Sequence, residues 1–140
     1  MREIDEIILH CSATREGRNY DVDTIRDWHV NGNGWSDIGY HFVIYLDGTV
    51  AAGRPVSRAG AHVRGRNKTT IGVCYIGGTG QDGKTPKDTM NGCQEESFRN
   101  LVTTLRGCFG DLSLHGHNEY AAKACPSFDV QEKFKDILNG

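Results

Sequence analysis

The run Ile7-Ile8-Leu9 restricts the fold more than any other feature of the chain. Three large apolar residues in succession leave no polar face, so they read as a strand buried on both sides of its sheet. Such a strand needs helices or loops above and below it. Thr70-Ile71-Gly72-Val73-Cys74-Tyr75-Ile76 reads the same way, and Gly77-Gly78 stops it. Tyr40 to Leu46 is a third strand. Asp47-Gly48 then signals a hairpin, with Thr49 to Gly53 as the returning strand. Leu112-Ser113-Leu114-His115 is a short fifth strand.

Helical spacing fills the gaps. Asp21 suits an N-cap ahead of Val22, Ile25 and Trp28, and Asn31-Gly32-Asn33-Gly34 suits the end of that helix. His29 sits beside this stripe and reads as a structural or solvent-edge histidine. From Gln94 to Cys108, Phe98, Leu101, Val102, Leu105 and Cys108 share one face. Asp129 and Glu132 read as a capping box for a last helix with Val130, Phe134, Ile137 and Leu138 inward. The order β-α-β-β-β-α-β-α predicts an α/β fold with a central mixed sheet of about five strands and about three helices. At 140 residues the chain is expected to be a single domain, 1–140.

Sixteen basic and 18 acidic residues leave a formal net charge of −2, which argues against a nucleic-acid partner. No apolar run approaches a membrane span, so no membrane partner is expected. Met1 to Glu6 lacks the apolar segment of a secretory signal. Synthesis in the cytoplasm is therefore expected, with thiols kept reduced. The five cysteines are odd in number and widely spaced, and no disulfide framework is predicted. Cys74 and Cys108 are expected to be buried as small hydrophobes.

The chemistry concentrates in His115-Gly116-His117-Asn118-Glu119-Tyr120-Ala121-Ala122-Lys123-Ala124-Cys125-Pro126. An imidazole and a thiolate on one short loop are two ligands for a borderline-soft metal. His10, closing the first strand, is the candidate third. Three protein ligands leave a fourth position for water, the arrangement of a catalytic zinc. Hydrolysis of an amide or ester is the chemistry that follows. Lys123 could then offer charge to the developing oxyanion, and Tyr40 a hydrogen bond. Strand alternation allows His115 and His117 equally. A Cys125–His117 nucleophile pair competes with the metal reading, but Pro126 removes one backbone donor and the pair leaves Lys123 unexplained. The loop Gly60-Ala61-His62-Val63-Arg64-Gly65-Arg66-Asn67 reads equally well as a groove wall or a solvated loop.

Four segments together resemble the zinc-dependent N-acetylmuramoyl-L-alanine amidases of phage lysozyme type, grouped with the animal peptidoglycan recognition proteins. They are His10-Cys11-Ser12-Ala13-Thr14, Gly39-Tyr40-His41-Phe42, Gly72-Val73-Cys74 and Lys123-Ala124-Cys125-Pro126-Ser127-Phe128. The resemblance runs from about Ile7 to Phe134. It implies an amidase-like fold and one Zn2+ per chain held by His10, His117 and Cys125, which selects His117 over His115. It implies Tyr40 and Lys123 as catalytic residues and His62 and Asn67 as substrate-binding residues. The implied substrate is bacterial peptidoglycan, cut between the N-acetylmuramic acid lactyl group and L-alanine of the stem. A monomer acting on the wall after release is expected. Two alternatives stand beside it: a non-catalytic peptidoglycan-binding module, and an endolysin that also regulates a polymerase. The best-known phage member of the family binds its polymerase in part through an N-terminal extension, whereas only nine residues precede His10 here. Cys125 favours an enzyme, because recognition proteins that bind without cutting typically lack that cysteine.

Overall fold

The computed structural model describes residues 1–139. In chain order the elements are β1 (Glu6–Cys11), β2 (Thr14–Arg15), α1 (Val22–Asp27), β3 (Phe42–Ile44), β4 (Val50–Ala52), β5 (Thr70–Tyr75), β6 (Gly78–Thr79), α2 (Gly92–Phe109), β7 (Ser113–Gly116) and α3 (Val130–Lys133). A π-helical turn, Trp28–Gly32, continues α1. The main sheet runs β4-β3-β5-β1-β7. β1 is parallel to β5 and β7, β3 is parallel to β5, and β4 is antiparallel at the edge. The mixed five-stranded sheet with three helices is the expected architecture. The two-residue strands β2 and β6 form a second, small sheet beside it.

Every residue of β1 and of β5 is buried, as runs without alternation require. The period of two still sorts their side chains. Ile7, Leu9 and Cys11 join Ile71, Val73 and Tyr75 in a core closed by Phe98, Val102 and Leu105 of α2 and by Val130 and Phe134. A smaller cluster of Ile25, Ile38, Val43 and Ile76 lies under α1. His10 and Gly72 therefore alternate away from the α2 core. Phe98 is fully buried and its ring lies 5.0 Å from that of Phe134. Phe98→Ala should cost about 3–5 kcal/mol of unfolding free energy, read by urea denaturation.

Local chemistry explains most boundaries. Asp21 accepts from the Thr24 N–H, as predicted. The Asp47-Gly48 hairpin is present, with Tyr45 N–H donating to Thr49 O. Three expectations change. Asn91, not Gln94, opens α2 through a reciprocal capping box with the Gln94 side chain. The expected box before α3 is half made: Asp129 accepts from Gln131 N–H, while the Glu132 carboxylate faces Lys135. α3 is correspondingly short and continues in a 3-10 turn, Lys135–Ile137. Cys108 is exposed rather than buried. The inward stripe of α2 steps from Leu105 to Phe109, which turns Cys108 out at the rim. Cys74 is buried as expected.

His41 gives the fold a pH dependence. Its ring is almost fully buried. Nδ1 accepts from Gly72 N–H, which leaves Nε2–H to donate to Arg58 O. Burial, helped by the nearby Arg2 and Arg54, pushes its pKa down to about 4 from 6.5. The unfolded chain therefore takes up this proton first as pH falls. The stability His41 contributes is whole above pH 6.5 and drains away towards pH 4, about 3 kcal/mol in all. Between pH 7 and pH 4.5 the unfolding free energy should fall by about 2 kcal/mol more in the wild-type chain than in His41→Asn.

Candidate metal centre

β1 and β7 are neighbours and run in the same direction. Their carboxyl ends therefore reach the same edge of the sheet, where open α/β sheets place their ligands. His10, one residue before the end of β1, lies on the face away from α2. His117 follows directly on Gly116, the last residue of β7. The two rings lie 4.6 Å apart between centroids. Cys125 comes from the loop that follows. One ligand atom from each of His10, His117 and Cys125 falls within 4.8 Å of the others.

The loop is held at several points. Tyr75 Oη donates to Pro126 O at 2.6 Å, and Ser127 Oγ donates to Gly78 O at 2.7 Å. Asn118 Nδ2 donates to Phe128 O at 3.0 Å. Cys11 N–H donates to Cys125 Sγ at 3.1 Å, which ties the sulfur to β1.

The electrostatics suit cation binding. Burial lowers the pKa of His10 well below the ordinary imidazole value, and the neighbouring His62 and His117 add to that. Burial also lowers His117, with the Lys123 charge behind it. Both rings are thus neutral at neutral pH, with lone pairs to offer. The hydrogen bond with Cys11, then burial, holds the Cys125 thiol well above its ordinary range. A divalent cation reverses this, since a coordinating thiol gives up its proton. Two neutral imidazoles and one sulfur fit a zinc-type ion.

Tyr40 lies just before β3, its ring 5.0 Å from that of His10. Several contacts frame it. Gly39 N–H donates to His29 Nδ1, and the His29 ring stands 5.4 Å from that of Tyr40. Arg54 donates to the carbonyls of Ile38, Ala59 and Asp37. A Cβ at Gly39 would sit 2.2 Å from Ala61 O, so only glycine lets these segments meet. Burial raises the Tyr40 pKa well above 10, with nearby thiols adding to it. The hydroxyl therefore keeps its proton. Lys123 is exposed, and its charge acts on His117.

His115 points elsewhere. Its Nδ1 is 2.8 Å from the buried Glu6 carboxylate, which also accepts from Tyr120 Oη. His62 sits behind His10 with both nitrogens engaged: Nδ1 at 2.8 Å from His10 Nε2, and Nε2 at 3.1 Å from Thr70 Oγ1. Burial, chiefly, pushes its pKa down to about 3. Asn67 Oδ1 accepts from the N–H groups of His62 and Val63. A hollow of about 310 Å³ opens here, lined by Trp35, Ala61, His62, Val63, Arg64 and Asn67.

Sequence reasoning passed over Cys11, Thr70, Arg54 and Trp35. Thr70 alone carried a signal, as a polar residue at the head of an otherwise apolar strand. His29, read as structural, is the prop of Gly39.

The family profile described as N-acetylmuramoyl-L-alanine amidase matches residues 1–128. The endolysin of Escherichia phage T7 is 45% identical over 127 residues, covering 91% of this chain and 83% of that protein. The endolysin of Klebsiella phage KP32 is 42% identical over 130 residues, covering 93% and 85%. Among solved structures, bumblebee peptidoglycan recognition protein SA superposes with a TM-score of 0.82 at 29% identity, covering 99% of this chain and 84% of that one. The N-acetylmuramoyl-L-alanine amidase LysC from Clostridium intestinale superposes with a TM-score of 0.76 at 25% identity, covering 96% and 87%.

Proposed function

Because this chain belongs to the N-acetylmuramoyl-L-alanine amidase family, we propose that it performs the family's hydrolysis with one Zn2+ held by His10, His117 and Cys125. The enzyme is a peptidoglycan hydrolase of the endolysin type. The observation that carries it is the gathering of two neutral imidazoles and one sulfur within 4.8 Å at the carboxyl edge of a parallel sheet. The bond cut joins the lactyl carbonyl of N-acetylmuramic acid to the nitrogen of L-alanine. Water adds to that carbonyl, the C–N bond breaks, and the products are a lactyl carboxylate and a free α-amino group.

A bound Zn2+ supplies a Lewis acid and water that is acidic enough to be used at neutral pH. The chain's own groups then meet the charge that develops on the carbonyl oxygen. Tyr40, protonated throughout the neutral range, donates a hydrogen bond to it. Lys123 brings a positive charge from the rim of the cleft. Asn67 and Trp35, on the wall of the hollow, contact the substrate, and His62, whose two nitrogens are already engaged, offers it only the carbon edge of its ring. No helix among the described residues is long and apolar enough to cross a membrane. The enzyme acts as a monomer on the wall, after release from the cell that makes it.

Product analysis tests this reading. Digestion of purified peptidoglycan should release stem peptides with a new amino-terminal L-alanine and no new reducing sugar ends. New reducing ends, or cuts within the peptide, would overturn it.

A further inference from the structure

We infer that Thr70 and the Arg66 carbonyl, acting through His62, fix the tautomer of His10 and so decide which of its nitrogens is free for a cation. The inference rests on the three-ligand reading above and makes His62 and Thr70 positioning residues behind it.

One atom in this line has a fixed role. The Arg66 carbonyl oxygen can only accept. Thr70 Oγ1 lies 2.9 Å from it and has a single proton, so that proton goes to Arg66. Thr70 Oγ1 must then accept from His62 Nε2, 3.1 Å away. A neutral imidazole has one N–H, so His62 Nδ1 carries the lone pair. It accepts from His10 Nε2 at 2.8 Å. His10 is buried and neutral as well, so its Nδ1 is bare. The polarity runs one way from the carbonyl to the ligand. Reversing it would leave Arg66 O without the Thr70 proton and put a hydrogen on His10 Nδ1, ending its use as a donor to metal.

The backbone makes room for this relay. A Cβ at Gly72 would lie 2.6 Å from His62 Cγ, and one at Gly60 would lie 2.8 Å from His62 Cδ2. The His62 ring thus lies flat against β5, in the only space that two glycines leave. Asn67 Oδ1 fixes the backbone beneath it through two N–H groups. Outer partners that hold one ring nitrogen of a ligating histidine are a general device for aiming the other.

The test uses Thr70→Val, which keeps the shape and removes the hydroxyl, with Thr70→Ser as rescue. The tautomer of His10 is read by 15N NMR in the zinc-free chain, and Zn2+ affinity by competition with a chromophoric chelator. We expect wild-type and Thr70→Ser to show a bare Nδ1 and a protonated Nε2. Thr70→Val should show mixed tautomers and about 10- to 100-fold weaker Zn2+ binding. A wild-type His10 protonated at Nδ1 overturns the relay without any variant. So does a Thr70→Val chain with a single Nε2–H tautomer and wild-type affinity. A relay with the expected tautomer in wild-type protein that binds no Zn2+ would instead overturn the ligand assignment, so the two failures are distinguishable.

Discussion

Cys125→Ala should lose bound zinc and amidase activity together, with kcat/KM falling by at least about 10³-fold. The reason is ligand arithmetic. Three donors hold a catalytic zinc and leave one position open, and removing the sulfur leaves two imidazoles. The contribution a metal makes to a hydrolytic transition state is several kcal/mol, and about 4 kcal/mol is a thousandfold in rate. The fold should survive the change. Tyr75 still donates to Pro126 O, and Ser127 to Gly78 O, so the loop stays seated. Metal analysis and peptide release on the same preparation check the result. A folded Cys125→Ala chain with full activity would remove the sulfur from the mechanism.

Tyr40→Phe and Lys123→Ala should separate what that substitution joins. Each should keep zinc and each should lower kcat by about 10²- to 10³-fold, the usual cost of a lost oxyanion donor. Phe at position 40 keeps the ring against His10 and His29 and removes only the hydroxyl. Lys123 is exposed and carries no packing role, so its loss should be felt in chemistry rather than folding. If either variant lost zinc in proportion to activity, its part would be structural.

The sequence made local features readable and left long-range ones dark. Asp47-Gly48 and Asp21 act through backbone a few residues away, and both did what their chemistry dictates. Ile7-Ile8-Leu9 demanded cover on both faces, and all three side chains are fully buried. The site divides along the same line. His10 was visible as the polar end of a buried strand, and the Lys123–Cys125 loop was visible by composition. Choosing His117 over His115 needed either a family resemblance or the structure, because the two differ by how the chain turns after β7. The pairing of Cys11 with Cys125 spans 114 residues. The Thr70–His62–His10 line depends on register between strands that are not adjacent in sequence. Cys108 misled because helical spacing alone does not tell which side of a stripe meets the sheet.

The most direct test of the account is a titration. The chain is stripped of metal with a chelator, Zn2+ is returned in measured steps, and new amino-terminal L-alanine is counted from purified peptidoglycan at each step. The account predicts no release from the stripped chain, release that rises with zinc bound, and a plateau at one zinc per chain. Undiminished release from fully stripped protein would contradict it and return Cys125 to the role of nucleophile.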